Sequence, residues 1–391
     1  MPTPQHPHRL LFVGASNIVM QRDVLILKHL AERGFAVHLC LWDREGAGNP
    51  DAVRWATERR LIQANSIPDY ARQAAQWGSD LKPDLVYFSS FLLFPWTIGI
   101  KKRCGAKLLF NYHDFPLFTT SYKIARKLRM PWLRKLLFHL LKPLENHFLR
   151  HTDGVTGTPL VESEMARIER NTTNLEVLIN APLLNTEPVE GAHWEKVKDL
   201  RYVIYSGAMG GPNGLELMLQ GFAKLAKQPA FADLHFILAG KMDNVDAATM
   251  ERLMAATGVA QRIHYLGWLP YAELLPILQG AKLGYALYDP NYGRNQFLAE
   301  GTLRKPYTYM PYGVPTLTNT HLCDVVVREG AGAYVAYDVD AITQKSMELL
   351  TQPELLEEMG QRGRMATQER YNWEIESQKI DRVMARMELE Q

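Results

Sequence analysis

Short apolar runs alternate with amphipathic stretches over nearly the whole chain. Residues 10–13 are apolar and end in the small, polar turn Gly14-Ala15-Ser16-Asn17; Val24, Leu27, Leu30 and Ala31 then recur at helical spacing up to Gly34. Residues 35–42, 83–88 and 106–111 read as further strands with helical stretches between them, and 153–156, 161–169 and 175–179 as a strand, a helix and a strand. Periodicity is lost through Pro188 and Gly191, as in a linker. The same grammar then restarts with strands at 202–207, 234–239, 263–266, 283–287 and 333–336, and it ends in a helix over 371–387 that offers Trp373, Ile380 and Val383 for burial. Strands alternating with helices predict parallel sheets, and two such runs predict two Rossmann-like α/β domains, over 1–185 and 186–370, followed by a terminal helix over 371–391. A chain of 391 residues exceeds what one hydrophobic core usually supports, which agrees.

Three turns stand out against this pattern. The strand at 106–111 runs into Tyr112-His113-Asp114, polar groups at the carboxyl end of a strand, where open α/β sheets hold ligands. The strand at 202–207 ends in the glycine-rich Gly207-Ala208-Met209-Gly210-Gly211-Pro212-Asn213-Gly214, a candidate phosphate cradle, and Lys241 follows the strand at 234–239. Most pointed is residues 300–315, where Glu300-Gly301-Thr302-Leu303-Arg304-Lys305 leads into an aromatic and Met run and then Gly313-Val314-Pro315. It reads as a tight turn, a short helix stopped by Gly313 and a buried strand, with Arg304 and Lys305 adding positive charge to the N–H groups of the first helical turn. A diphosphate suits such a site.

Composition narrows the function. A net charge of +2 argues against a nucleic-acid binder working by bulk electrostatics, and the three cysteines form neither a disulfide framework nor a metal-ligand spacing. No segment has the length and apolarity of a membrane span, and the N-terminus lacks a signal-like apolar core, so a cytoplasmic protein, peripheral on the inner face of the cell membrane, is expected. Charge is local instead. Residues 121–150 hold eight Lys or Arg, among them Arg126, Lys127, Arg134 and Lys135, against the single acid Glu145, interleaved with leucines, Trp132 and Phe138. This predicts a basic amphipathic helical region, broken or kinked near Pro131 and Pro143, that either backs onto the core or lies on an anionic membrane surface.

The stretch from Glu300 resembles the donor site of retaining GT-B type glycosyltransferases of group 1, in which Glu, seven residues, and a second Glu precede a Met-x-x-Gly-x-Pro run. Glu300 matches the first acid, and Met310, Gly313 and Pro315 match the run, whereas Thr308 replaces the second acid. Lys305, Tyr309 and Met310 match a variant of the same motif, Pro-x-Lys-x-x-Glu-Tyr-Met. The resemblance implies two Rossmann-like domains with a cleft between them, a terminal helix crossing back to the first, a nucleotide-sugar donor on the second, and a glycan or lipid-linked acceptor on the first. It gives His113, Asp114 and Glu300 catalytic roles and assigns donor contacts to Gly207, Asn213, Lys241, Trp268, Leu269, Gly301, Thr302, Arg304, Lys305 and Thr308, with Trp268 or Leu269 against the base. Gly14 and Asp23 fall on the acceptor side. Ala208 and Asn213 stand where the family often carries Arg and Lys, and one threonine hydroxyl cannot hold two ribose hydroxyls as a carboxylate does. No cofactor or metal is implied. Retention of anomeric configuration is the expected outcome, with inversion open through Asp23 or Asp114 as base. A nucleotide-sugar epimerase and a catalytically silent GT-B protein are the rival readings.

Overall fold

The computed structural model describes residues 7–389 apart from 45, 47, 114, 131, 211, 212, 243, 244, 292 and 293. The chain divides into two compact units, residues 1–179 with 376–391, and residues 180–375. The first holds a sheet of seven strands, β1 Arg9–Gly14, β2 Ala36–Trp42, β3 Glu58–Ile62, β4 Leu85–Phe88, β5 Lys107–Tyr112, β6 Gly154–Gly157 and β7 Leu175–Val177, in the order β3-β2-β1-β4-β5-β6-β7. The second holds six, β8 Arg201–Ser206, β9 Leu234–Ala239, β10 Ile263–Gly267, β11 Leu283–Ala286, β12 Thr316–Thr318 and β13 Gly332–Tyr334, in the order β10-β9-β8-β11-β12-β13. Neighbouring strands run parallel throughout both sheets.

Each sheet reverses its strand order once, at β1/β4 and at β8/β11, and the carboxyl ends flanking such a reversal are where doubly wound sheets bind ligands. The central strands are apolar on both faces because helices cover both. Leu10, Leu11, Leu85, Val86, Leu108 and Leu109 in the first sheet and Val203, Ile204, Ile237 and Leu238 in the second are wholly buried.

The structure adds one strand to the pattern and corrects one break in it. β3 was invisible to it, because Glu58, Arg59, Arg60 and Leu61 are all exposed; this is an edge strand whose charges blunt pairing with other chains, so no apolar alternation marks it. Of the two prolines expected to break or kink the basic region, Pro131 lies outside the described residues and Pro143 does not break its helix. Leu133–Leu149 continues through it, losing only the bond that the missing N–H would have made to His139. From Glu376 onward the terminal helix Trp373–Arg386 belongs to the first unit, where Asp381 meets His29 at 2.8 Å and Arg33 at 2.6 Å, and Arg382 and Arg386 grip Glu176.

Candidate active site

In the second unit, β8, β9 and β10 each run out into a glycine with positive φ: Gly207 at 142°, Gly240 at 147° and Gly267 at 73°. Their backbones are laced together. Gly207 N donates to Ala239 O at 2.9 Å, Gly240 N to Gly267 O at 2.7 Å, and Met209 N to Lys241 O at 2.8 Å. The approach is so close that a Cβ on Gly240 would stand 1.9 Å from Gly207 O, which glycine alone permits. Asn213 closes the glycine-rich turn by donating its N–H to Gly210 O at 3.1 Å, before the helix Leu215–Ala226.

Onto this layer falls Lys305. Its side chain is buried, and a Cβ on Gly207 would lie 3.3 Å from its Cε and Nζ. The ammonium sits 4.7 Å from the ring of Tyr205 on β8 and 4.5 Å from that of Tyr288, just past β11, and donates to the Tyr288 hydroxyl at 3.2 Å. It therefore occupies the β8/β11 reversal. Among the described residues no carboxylate pairs with it. The nearby Cys323 thiol is pushed up to about 12 by burial, so it stays neutral and supplies no anion. Burial lowers the Lys305 ammonium to about 8, the mark of a cation short of a counter-charge. Tyr309 fixes the geometry, accepting from Ser206 N at 2.8 Å and donating to Tyr285 O at 3.2 Å, which ties the Lys305 helix to both strands of the reversal.

A second cation, Arg294, acts electrostatically on Tyr288, and its buried Nε finds no hydrogen-bond partner among the described residues. Nothing in the sequence marks it, since a single arginine among Asp, Asn and Gly carries no periodic signal. Arg304 is exposed. The helix beyond it, Lys305–Tyr309, has only five residues, and Pro306 removes one of its first N–H groups. The anion site expected of its N-terminus is accordingly weaker than the pattern implied, and the buried ammonium carries the charge.

Other expected donor residues are placed as follows. Glu300 is gripped by Arg328, which donates to its two oxygens at 2.7 and 2.5 Å and to Tyr371 Oη at 3.2 Å. Arg328 had no sequence signal, because only the fold brings it back to residue 300. Thr308 donates its hydroxyl to Arg304 O at 3.1 Å, into its own helix. Gly301, at φ 97°, accepts from Asn180 N at 3.0 Å, and the Asn180 amide also donates to Thr302 O, so the turn before Lys305 is held from outside. Trp268 is 63% exposed, not core, with Lys241 Nζ 5.7 Å from its ring centroid, whereas Leu269 is buried. Of the two, Trp268 offers a face to a planar ligand.

In the first unit, Asp23 follows β1 at the β1/β4 reversal, and His113 follows β5, the strand beside β4. Asp23 is only 2% exposed and accepts three hydrogen bonds: Oδ1 from Tyr87 Oη at 2.6 Å and Asn111 Nδ2 at 2.8 Å, and Oδ2 from Ser89 Oγ at 3.0 Å. Those bonds make it an organiser of the strand ends rather than an open base. Arg22 approaches His113, its Nη1 3.4 Å from Nδ1. A guanidinium only donates, so Nδ1 is the accepting atom of that contact. The Arg22 fork also donates to Leu178 O. Gly14 is close-packed, a Cβ there meeting Leu41 Cδ2 at 2.8 Å and Phe12 Cε1 at 2.9 Å, so its smallness serves packing. Asp114 lies outside the described residues. Arg126, Lys127 and Lys135 are exposed, while Arg134 is half-buried with its guanidinium 5.3 Å from the Phe118 ring centroid.

Residues 190–366 match the family model for glycosyl transferases group 1. The second unit carries a group 1 glycosyl transferase domain. Solved structures extend the likeness to the whole chain. A sucrose-phosphate synthase from Thermosynechococcus elongatus superposes with a TM-score of 0.69 at 15% identity, covering 97% of this chain and 99% of that one. HepE from Anabaena, solved with UDP-glucose, gives 0.70 at 12%, covering 96% and 99%. WaaG, a glycosyltransferase involved in lipopolysaccharide biosynthesis, gives 0.62 at 14%, again covering 96% and 99%. At these identities the superpositions establish the two-domain α/β GT-B fold. No curated protein matches the sequence.

Proposed function

We propose that this chain transfers a sugar from a nucleotide-diphosphate sugar, held by the group 1 domain, to a hydroxyl of a glycan or lipid-linked acceptor. The observation that carries the reading is the Lys305 ammonium, buried at the β8/β11 reversal without a carboxylate among the described residues. A diphosphate supplies the missing charge, and Arg294 adds a second cation where the glycine-rich turn lacks one. The exposed face of Trp268 receives the base. In the transfer, the acceptor oxygen bonds to the anomeric carbon, the bond from that carbon to the diphosphate oxygen breaks, and the diphosphate departs with the electron pair. Charge grows on that oxygen as the bond lengthens, so a fixed cation beside it stabilises the transition state more than the ground state. The transfer is read as retaining, with the acceptor proton passing to the leaving diphosphate.

Thermal unfolding followed across a set of nucleotide sugars tests the reading. The true donor stabilises the folded chain by about 2.7 kcal/mol at a hundred times its dissociation constant, and release of nucleoside diphosphate then requires acceptor. Stabilisation by no nucleotide sugar at all sinks the proposal. Binding without turnover on any acceptor makes this a silent member of the fold, and turnover of donor without acceptor makes it an epimerase.

His113 is assigned to the sugar, through its Nε2 edge. His113→Ala is expected to lower kcat roughly tenfold to a hundredfold, the range of a lost positioned hydrogen bond, with nucleotide affinity unchanged. A variant that turns over normally removes His113 from the site.

A further inference from the structure

The helices Pro116–Lys127 and Leu133–Leu149 of the first unit pack against each other and carry an exposed apolar surface. Trp132, Leu136, Leu140 and Leu144 are all exposed, Trp132 to 66% and Leu140 to 63%. A spacing of four keeps them in one row, about 18 Å long at 1.5 Å per residue. Tyr122, Leu128 and Met130 extend the apolar surface. The core-facing side of the same helix is filled by Phe138, Glu145 and Leu149, so the leucine row is surplus to folding.

Charge around the row is one-sided. Glu145, the only acid in residues 121–150, is fully buried and accepts from Arg167 Nη2 at 2.6 Å and Tyr112 Oη at 3.0 Å. Lys142 is neutralised by Glu164 at 2.5 Å. Lys123, Arg126, Lys127, Arg129 and Lys135 remain exposed beside the apolar positions. Among the described residues no helix is long and apolar enough to cross a membrane.

We propose that this face docks on an anionic phospholipid bilayer, the Trp132–Leu144 row lying at the boundary between headgroups and acyl chains and the basic residues on lipid phosphates. An apolar row with interfacial tryptophan and flanking cations is what such a helix needs. The same charges argue against a second copy as occupant, because a two-fold contact would set like charges against each other.

Co-sedimentation with phosphatidylglycerol-containing vesicles, against phosphatidylcholine alone, tests the proposal. Binding is expected to the anionic vesicles only and to weaken at high salt. Reversing Lys123, Arg126, Lys127 and Lys135 to Glu lowers the partition coefficient by at least about a hundredfold, since each basic residue near the surface contributes roughly fivefold. Leu136→Ser with Leu140→Ser touches exposed positions only, leaves the unfolding midpoint unchanged and lowers partitioning about tenfold or more. Brominated lipids quench part of the tryptophan emission of the wild type, and Trp132→Phe loses that part. Indifference of the wild type to anionic vesicles at low salt overturns the proposal, as does binding unaltered by both sets of substitutions. A dimer that the double serine variant abolishes, seen without vesicle binding, assigns the row to a second copy and overturns it equally.

Discussion

Lys305→Met is expected to lower kcat/KM by about a thousandfold, the upper range for removing one preorganised donor to a developing oxyanion, while making the free protein more stable. The two effects have one cause. Methionine keeps the length and apolar stem but takes away a charge buried between Tyr205 and Tyr288. With the ammonium lowered from 10.5 to about 8, the unfolded chain holds its proton up to pH 10.5 and the folded chain only to about 8. Between those values the unfolded state binds more protons, so stability rises with pH; below about 8 the full penalty stands, about 3 kcal/mol. The variant escapes it. Its advantage in denaturant unfolding should be largest at neutral pH and close as pH rises towards 10.5. Donor affinity of the wild type should fall as pH rises through 8, when the cation is lost, and the variant should lack that limb. Equal loss of affinity for nucleoside and nucleoside diphosphate would separate Lys305 from the phosphates, and a destabilised variant would mean the ammonium has a partner that stabilises the fold.

Gly240→Ala is expected to cost about 3 kcal/mol or more and to abolish nucleotide binding with it, because strain and overlap act together. A φ of 147° belongs to a region that side chains avoid, and the added Cβ would stand 1.9 Å from Gly207 O and 2.7 Å from Gly207 C. Both contacts are backbone, so no rotamer change relieves them. Either the Gly207 turn moves, carrying away the surface on which Lys305 rests, or the second unit unfolds. Gly258→Ala provides the control. Its φ is also positive, at 70°, but the new Cβ would meet only the tip of Lys227 at 3.8 Å, so about 1 kcal/mol of backbone strain is expected, with nucleotide binding intact. If the two variants unfold at the same denaturant concentration, the close approach of the two turns is not what the site depends on.

The first unit depends on charge in a different way. Glu145 is raised above the ordinary carboxylate range by burial, against the pull of Arg167, so its role is to hold Arg167 and Tyr112 together rather than to face a substrate. That inward turn is also what leaves the basic helices without an acid on their surface.

Local periodicity determined much of this protein by itself. Strands with apolar residues on both faces, separated by helical stretches, can only be covered by helices on both sides, so two parallel sheets follow from the chain order of residues such as Leu10, Leu85, Val203 and Leu238. Glycines at strand ends and the short span from Glu300 to Gly313 are legible for the same reason, since turn geometry and helix stops are set within a few residues. Tertiary structure decided everything that depends on partners distant in sequence. Lys305 and Arg304 are neighbours with the same charge, yet one is buried against Tyr205 and Tyr288 and the other is exposed. Glu300 is bound to Arg328, and Asp23 is held by Tyr87, Ser89 and Asn111, pairings that no spacing encodes. β3 is a strand only because Cys40 and its neighbours offer it an edge. Trp132, Leu136, Leu140 and Leu144 look like core until Phe138, Glu145 and Leu149 take the inner face. In each case the residue type is local, but its exposure and its partner are properties of the packed chain, and those set what its chemistry can do.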